Sequence, residues 1–183
     1  MKKISLILFL IFFFVYSQEV SAKDPAPTPV PSPTPIDYFL PYPGVLPDNP
    51  LYSLKVFRDR IVGFLISDPL KKSEYDLLQA DKRLNTSIYL FKGGQSKYSL
   101  AESTLSKGEN YFQDAITNIK RAKQQGEFTN DLLARLYVSS LKHQESIKQF
   151  ENNTQGDLRQ RFMMDEKRMI EFQNAVNQLR LKQ

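Results

Sequence analysis

From Leu51 onward the apolar positions recur at helical spacing, separated by Lys, Gln, Glu, Arg and Ala, and alternating β-branched patterns are scarce. That periodicity predicts a succession of amphipathic helices. The first spans Pro50–Ile66, with Pro50 at its opening position and Leu54, Phe57, Ile61, Phe64 and Leu65 on one face. Ser67-Asp68-Pro69 is a start signal for the second: a capping side chain, then a proline whose missing N–H costs nothing at the first helical position. This helix is predicted over Pro69–Lys92, where Leu70, Leu77, Leu84 and Phe91 lie seven apart and Leu78 and Ile88 widen the stripe. Gly93-Gly94 ends it, because glycine reaches the left-handed conformation of a helix C-terminus.

A third helix is predicted over Lys97–Gln125, with Leu105, Phe112, Ala115, Ile119 and Ala122 facing inward and Gly126 closing it. Thr129 is the expected cap of a fourth, Asn130–Asn152, whose stripe is Leu133, Leu136, Ser140, Ile147 and Phe150. Gly156-Asp157 precedes a fifth, Leu158–Lys182, lined by Leu158, Phe162, Met169, Phe172, Val176 and Leu179. Connections this short favour antiparallel neighbours. The expected fold is all-α: an antiparallel bundle of about four to five helices over 36–183.

The N-terminal pattern differs. Lys2-Lys3 is followed by the apolar run Ile4–Tyr16 and then by Val20-Ser21-Ala22, which sets small or modest residues where a signal peptidase needs them. This is the secretory pattern, and the run is short of the roughly 20 residues that span a bilayer as a helix. Residues 1–22 are therefore expected to be a signal peptide. An uncleaved anchor is the rival reading, because Phe12–Tyr16 is bulky and Val20 is a tolerated residue three positions before the cut. Pro25, Pro27, Pro29, Pro31, Pro33 and Pro35 then occupy every second position. Proline fixes φ and disfavours the helical basin before it, so 23–35 is expected to be an extended spacer reaching roughly 40 Å.

Composition narrows the chemistry. The 183 residues contain no Cys and no Trp, and His143 is the only histidine. Disulfides, thiol chemistry, cysteine-rich zinc sites and iron–sulfur clusters are excluded. The net charge of +5 falls to +4 once Lys2, Lys3 and Glu19 leave with the leader. Basic and acidic residues alternate, as in Arg58-Asp59-Arg60 and Asp165-Glu166-Lys167-Arg168. That is the pattern of a solvated helix surface, whereas a nucleic-acid binder concentrates its cations on one face.

Catalytic signatures are weak. Ser139-Ser140-Leu141-Lys142 matches S-x-x-K without the companion elements of a serine acyl-enzyme, and His143-Gln144-Glu145 lacks the cysteines of a zinc deaminase. His143 is expected on the solvated surface. The carboxylates of Asp76 with Asp81, and of Asp165 with Glu166, are expected to form ion pairs on helix faces. No phosphate loop or EF-hand loop occurs, so no catalytic residue, metal ligand or cofactor site is expected. The aromatic residues Tyr38, Phe39, Tyr42 and Tyr52 accompany Pro41, Pro43, Pro47 and Pro50. They are read as a rigid segment packed on the bundle, or else as an exposed groove for a partner.

The stretch carries three recognisable motifs. Leu46-Pro47-Asp48-Asn49-Pro50-Leu51-Tyr52-Ser53-Leu54-Lys55 has the form L-P-x-[DN]-P-x-Y-x-L-K. Asp68-Pro69-Leu70-Lys71-Lys72-Ser73-Glu74 has the form D-P-x-K-[KR]-x-E, and Ala80-Asp81-Lys82-Arg83-Leu84 the form A-[ED]-[KR]-R-L. Over about Leu46–Tyr111 the chain resembles a widespread bacterial family of uncharacterised extracytoplasmic helical domains, a domain of unknown function. The resemblance implies a helical architecture and an extracytoplasmic location, and brings no catalytic residue. Its motif positions Leu46, Pro47, Pro50, Tyr52, Leu54, Lys55, Asp68, Pro69, Glu74 and Arg83 are expected to be structural.

The expected function is that of an exported, non-catalytic binding or structural module at the bacterial cell surface or envelope. The alternative is an extracytoplasmic regulator or chaperone-like protein that grips a partner protein with amphipathic helices. An exposed apolar groove would favour gripping, and a sealed core with polar faces would favour a structural module. An unidentified protein or envelope component is the expected partner. Nucleic acid is not, and membrane contact is expected only through the N-terminal segment, if it is retained.

Overall fold

At Ser67-Asp68-Pro69 the local chemistry acts as the sequence requires. The Asp68 carboxylate accepts the Lys71 N–H at 2.8 Å, and Pro69 occupies the first turn of the long helix that follows. The computed structural model describes residues 35–181. The signal segment expected over 1–22 and, apart from Pro35, the linker expected over 23–35 lie outside the described residues. Five α-helices follow in order: α1 Tyr52–Leu65, α2 Pro69–Lys92, α3 Tyr98–Gln124, α4 Asn130–Asn152 and α5 Gly156–Leu181. A short 3-10 turn, Gln95–Lys97, joins α2 to α3. Gly94, Gly126 and Gly156 have φ of +102°, +81° and +59°, so the helix boundaries use backbone that side-chain-bearing residues rarely adopt. Thr129 stands at the start of α4, but its side chain makes no capping hydrogen bond there.

Side-chain contacts give the direction of each pair. Ser73 Oγ donates to Ala115 O and Ser87 Oγ to Ala101 O, both at 2.7 Å, so α2 and α3 run antiparallel. Arg159 reaching Glu151 and Gln144 reaching Gln173 make α4 and α5 antiparallel. Arg161 with Glu102 and Arg168 with Glu109 align α5 parallel to α3, and Asp81 with His143 and Glu74 with Arg135 align α4 parallel to α2. The four long helices therefore form a ring in the order α2, α3, α5, α4. Across its interior the Phe112 ring of α3 meets the His143 ring of α4 edge-on, 5.4 Å between centroids.

The core is built from the stripes visible in the sequence. Leu77, Leu84, Leu105, Phe112, Ala115, Ile119, Leu133, Leu136, Ile147, Phe150, Phe162, Met169 and Val176 are buried in one cluster, with Leu70, Ile88, Phe91, Leu158, Phe172 and Leu179 packed against it. Leu78, expected to widen the α2 stripe, is exposed instead.

Candidate functional site

The feature that sets the molecule apart is the orientation of α1. Leu54, Phe57, Ile61, Phe64 and Leu65 do share one face, and that face points to solvent, with 45% to 88% of each residue exposed. The buried residues of α1 are Asp59 and Gly63, which with Tyr52 recur at i, i+7 and i+11 on the opposite side. This polar and aromatic side rests on α2. Tyr75 Oη donates to Asp59 O at 2.6 Å. The Arg83 guanidinium lies over the Tyr52 ring, 5.4 Å from its centroid, and over Tyr111 at 5.9 Å. A Cβ on Gly63 would come within 3.0 Å of the Tyr75 ring, so glycine permits the close approach. Lys55 Nζ donates to Pro43 O at 2.6 Å, tying α1 to the segment before it, and burial lowers the pKa of this ammonium. Unlike a surface helix that turns its apolar side to the core, α1 turns it outward.

Beside this face opens a cleft of about 460 Å³, lined by Asp59, Arg60, Phe64, Lys72, Tyr75 and Arg121 among others. Asp59 is committed to Arg58 at 2.7 Å and Lys72 to Asp76 at 3.0 Å. Arg60 and Arg121 have no acidic partner among the described residues.

The motif residues divide between anchoring and exposure. Pro69 and Asp68 start α2; Tyr52, Lys55 and Arg83 hold α1 in place. Leu46 and Pro47 are half-buried in the turn before α1. Glu74 meets Arg135 at 3.5 Å on the surface. Pro50 and Leu54 are exposed, and Leu54 belongs to the outward stripe. The aromatic residues of the preceding segment also split. Tyr38 donates its hydroxyl to Asp81 Oδ2 at 2.6 Å, while Phe39 and Tyr42 are exposed.

Two polar clusters lie where ion-paired surface had been expected. Asp81 is buried and accepts from Ser139 Oγ at 2.6 Å as well as from Tyr38, and His143 Nε2 stands 3.3 Å from its Oδ1. His143 is fully buried, not solvated, because the Asp81 carboxylate and the Phe112 ring pack against it. Ser139 and His143 both address the same carboxylate oxygen, so the Ser139 hydroxyl is held by Asp81 and not by His143. Lys142 of the S-x-x-K match is bonded to Glu145 at 2.6 Å and to Ile36 O at 3.3 Å. Asp76 is likewise buried but keeps the expected ion pair on its own helix, with Lys72 four residues before it at 3.0 Å; Asn118 donates to its other oxygen, and burial raises its pKa.

The second cluster, between α3 and α5, contains Glu102, Glu109 and Asp165. Burial pushes the Glu109 carboxyl up to about 9, with the charge of Asp165 adding to it and Arg168 opposing. Burial and then Glu102 push Asp165 up to about 7. Glu109 Oε1 and Asp165 Oδ2 meet no hydrogen-bond donor among the described residues. Asp165 is thus not an ion pair on a helix face; Glu166 is, with Lys148 at 3.3 Å. Among the described residues no group of three or more His, Asp and Glu side chains is arranged to hold a metal ion.

Sequence reasoning found the apolar stripe of α1 and missed its direction. The signal was available on the other side of the helix, where Tyr52, Asp59 and Gly63 form the stripe that seats it. Comparison with known proteins places this architecture in context. A family model described as a domain of unknown function (DUF5667) matches residues 44–161, extending the resemblance from the first motif through α4 into α5. No curated protein and no solved structure matches the chain.

Proposed function

The chain belongs to this family, a domain of unknown function, and from that premise we propose that it is an exported, non-catalytic binding module of the bacterial cell envelope. Its contact surface is the outward face of α1. One observation carries the reading: five large apolar side chains stand on solvent while the polar side of the same helix is spent on the bundle. Exposed apolar patches rimmed by polar residues mark interaction sites. Export rests on the charged start, apolar run and small-residue pattern of the first 22 residues. The bundle acts as the support, and the proline spacer gives it reach.

The test is site-specific photo-crosslinking in intact cells with the full chain, the crosslinker replacing Phe64 and, as a control, the likewise exposed Phe128 between α3 and α4. The chain is expected outside the cytosol, with adducts formed at position 64 several-fold in excess of those at 128. A cytosolic chain, or equal labelling at the two positions, overturns the proposal.

A further inference from the structure

We propose that the outward face of α1 docks on an anionic lipid surface, with headgroup phosphates received in the cleft by Arg60 and Arg121. The inference deepens the binding reading above and rests on it. The first support is geometric. At 14 residues, α1 is about 21 Å long, too short to cross a bilayer, and no helix among the described residues is long and apolar enough to do so. A short helix with Leu, Ile and Phe on one side and Lys and Arg among its remaining positions is suited to lie in the interface, its apolar side entering the headgroup–acyl boundary. Phe39 and Tyr42, exposed just upstream, supply further side chains of the kind that settle there.

The second support is charge. Asp59 is the one acid of α1, and it is buried and paired with Arg58. The cations that remain beside the apolar face, Arg60 and Arg121, lack acidic partners and line the same cleft as Phe64. That arrangement pairs a hydrophobic wedge with positive groups where a phosphodiester would sit. A second copy of the chain fits less well. It would bring the same unneutralised cations to the contact, with no exposed acid on α1 to answer them.

The chain lacks tryptophan, so Phe64→Trp places a single fluorescent reporter on the face, and Phe128→Trp reports from a remote exposed site. In the full chain, vesicles of phosphatidylcholine with phosphatidylglycerol are expected to blue-shift the emission from position 64 and leave that from 128 unchanged. Pure phosphatidylcholine vesicles should act far more weakly, and soluble glycerol phosphate should leave the spectrum unmoved. Adding Arg60→Gln and Arg121→Gln to the reporter chain is expected to weaken the vesicle response roughly tenfold or more. If position 64 stays unshifted while the chain sediments with vesicles through its N-terminal segment, the lipid proposal falls. It falls equally if the blue shift follows protein concentration without vesicles, which would identify a second copy as the occupant. Crosslinks from position 64 to a protein in cells, with no vesicle response, would overturn the lipid proposal and leave the binding module standing.

Discussion

Glu109 is the residue whose environment departs furthest from what its neighbours in sequence suggest. It is fully buried on α3 with Arg168 Nη1 3.3 Å from one oxygen, and the other oxygen has no donor among the described residues. One partly exposed guanidinium does not offset the desolvation, so the neutral acid is favoured and the pKa rises to about 9. The sign of the consequence follows from proton linkage. Between the ordinary carboxylate range and about pH 9 the folded chain holds a proton that the unfolded chain has lost, so this group's contribution to stability is present at low pH and is lost as pH rises. Asp165 acts in the same direction up to about pH 7. Glu109→Gln keeps the shape and removes the titration. Urea unfolding at pH 5, 7 and 9 should show the two proteins closest at pH 5 and the variant ahead by roughly 1–3 kcal/mol at pH 9. A constant difference across that range would show that Glu109 is not the titrating group.

At the scale of elements, the α2–α3 pair is set by small residues. A Cβ on Gly108 would lie 2.7 Å from Arg83 Cβ and 3.3 Å from Ala80 O, so glycine allows α3 to close on α2 and keeps Arg83 stacked between Tyr52 and Tyr111. Helix propensity favours alanine over glycine by about 1 kcal/mol in a helix interior. Gly108→Ala is nevertheless expected to destabilise the protein by about 1–3 kcal/mol, because the blocking atom is the root of a side chain and cannot swing aside. Thermal unfolding would decide it, and a higher Tm would refute the close-approach argument. α1 is the contrasting element. It is seated by a few hydrogen bonds and ring contacts and buries none of its large apolar side chains. Hydrogen exchange should therefore deprotect its amides well before those of α2 through α5. Equal protection would mean that α1 belongs to the same cooperative unit as the bundle.

Across the whole molecule, the four long helices were legible in the sequence within a residue or two, because each carries a stripe at helical spacing and because glycines and one capped proline mark several of their boundaries. Leu105, Phe112, Ile119, Leu136, Ile147 and Met169 could be assigned to the core on that ground. The stripe of α1 was equally clear, yet a stripe records only which residues share a face. Its direction depends on which side finds a better seat, and Tyr75, Arg83 and Tyr111, distant in sequence, offer that seat to the polar side. Asp81 and His143 illustrate the same point. Each sits among polar neighbours on its own helix, and their burial follows from the meeting of α2, α4 and the Tyr38 segment. Periodicity and capping are local properties, so the chain's own order of residues settles which segments are helical and how the bundle closes on its apolar stripes. Burial of a charge and exposure of an apolar face depend on partners from other helices, and for α1, Glu109 and the Asp81 cluster only the assembled structure decides.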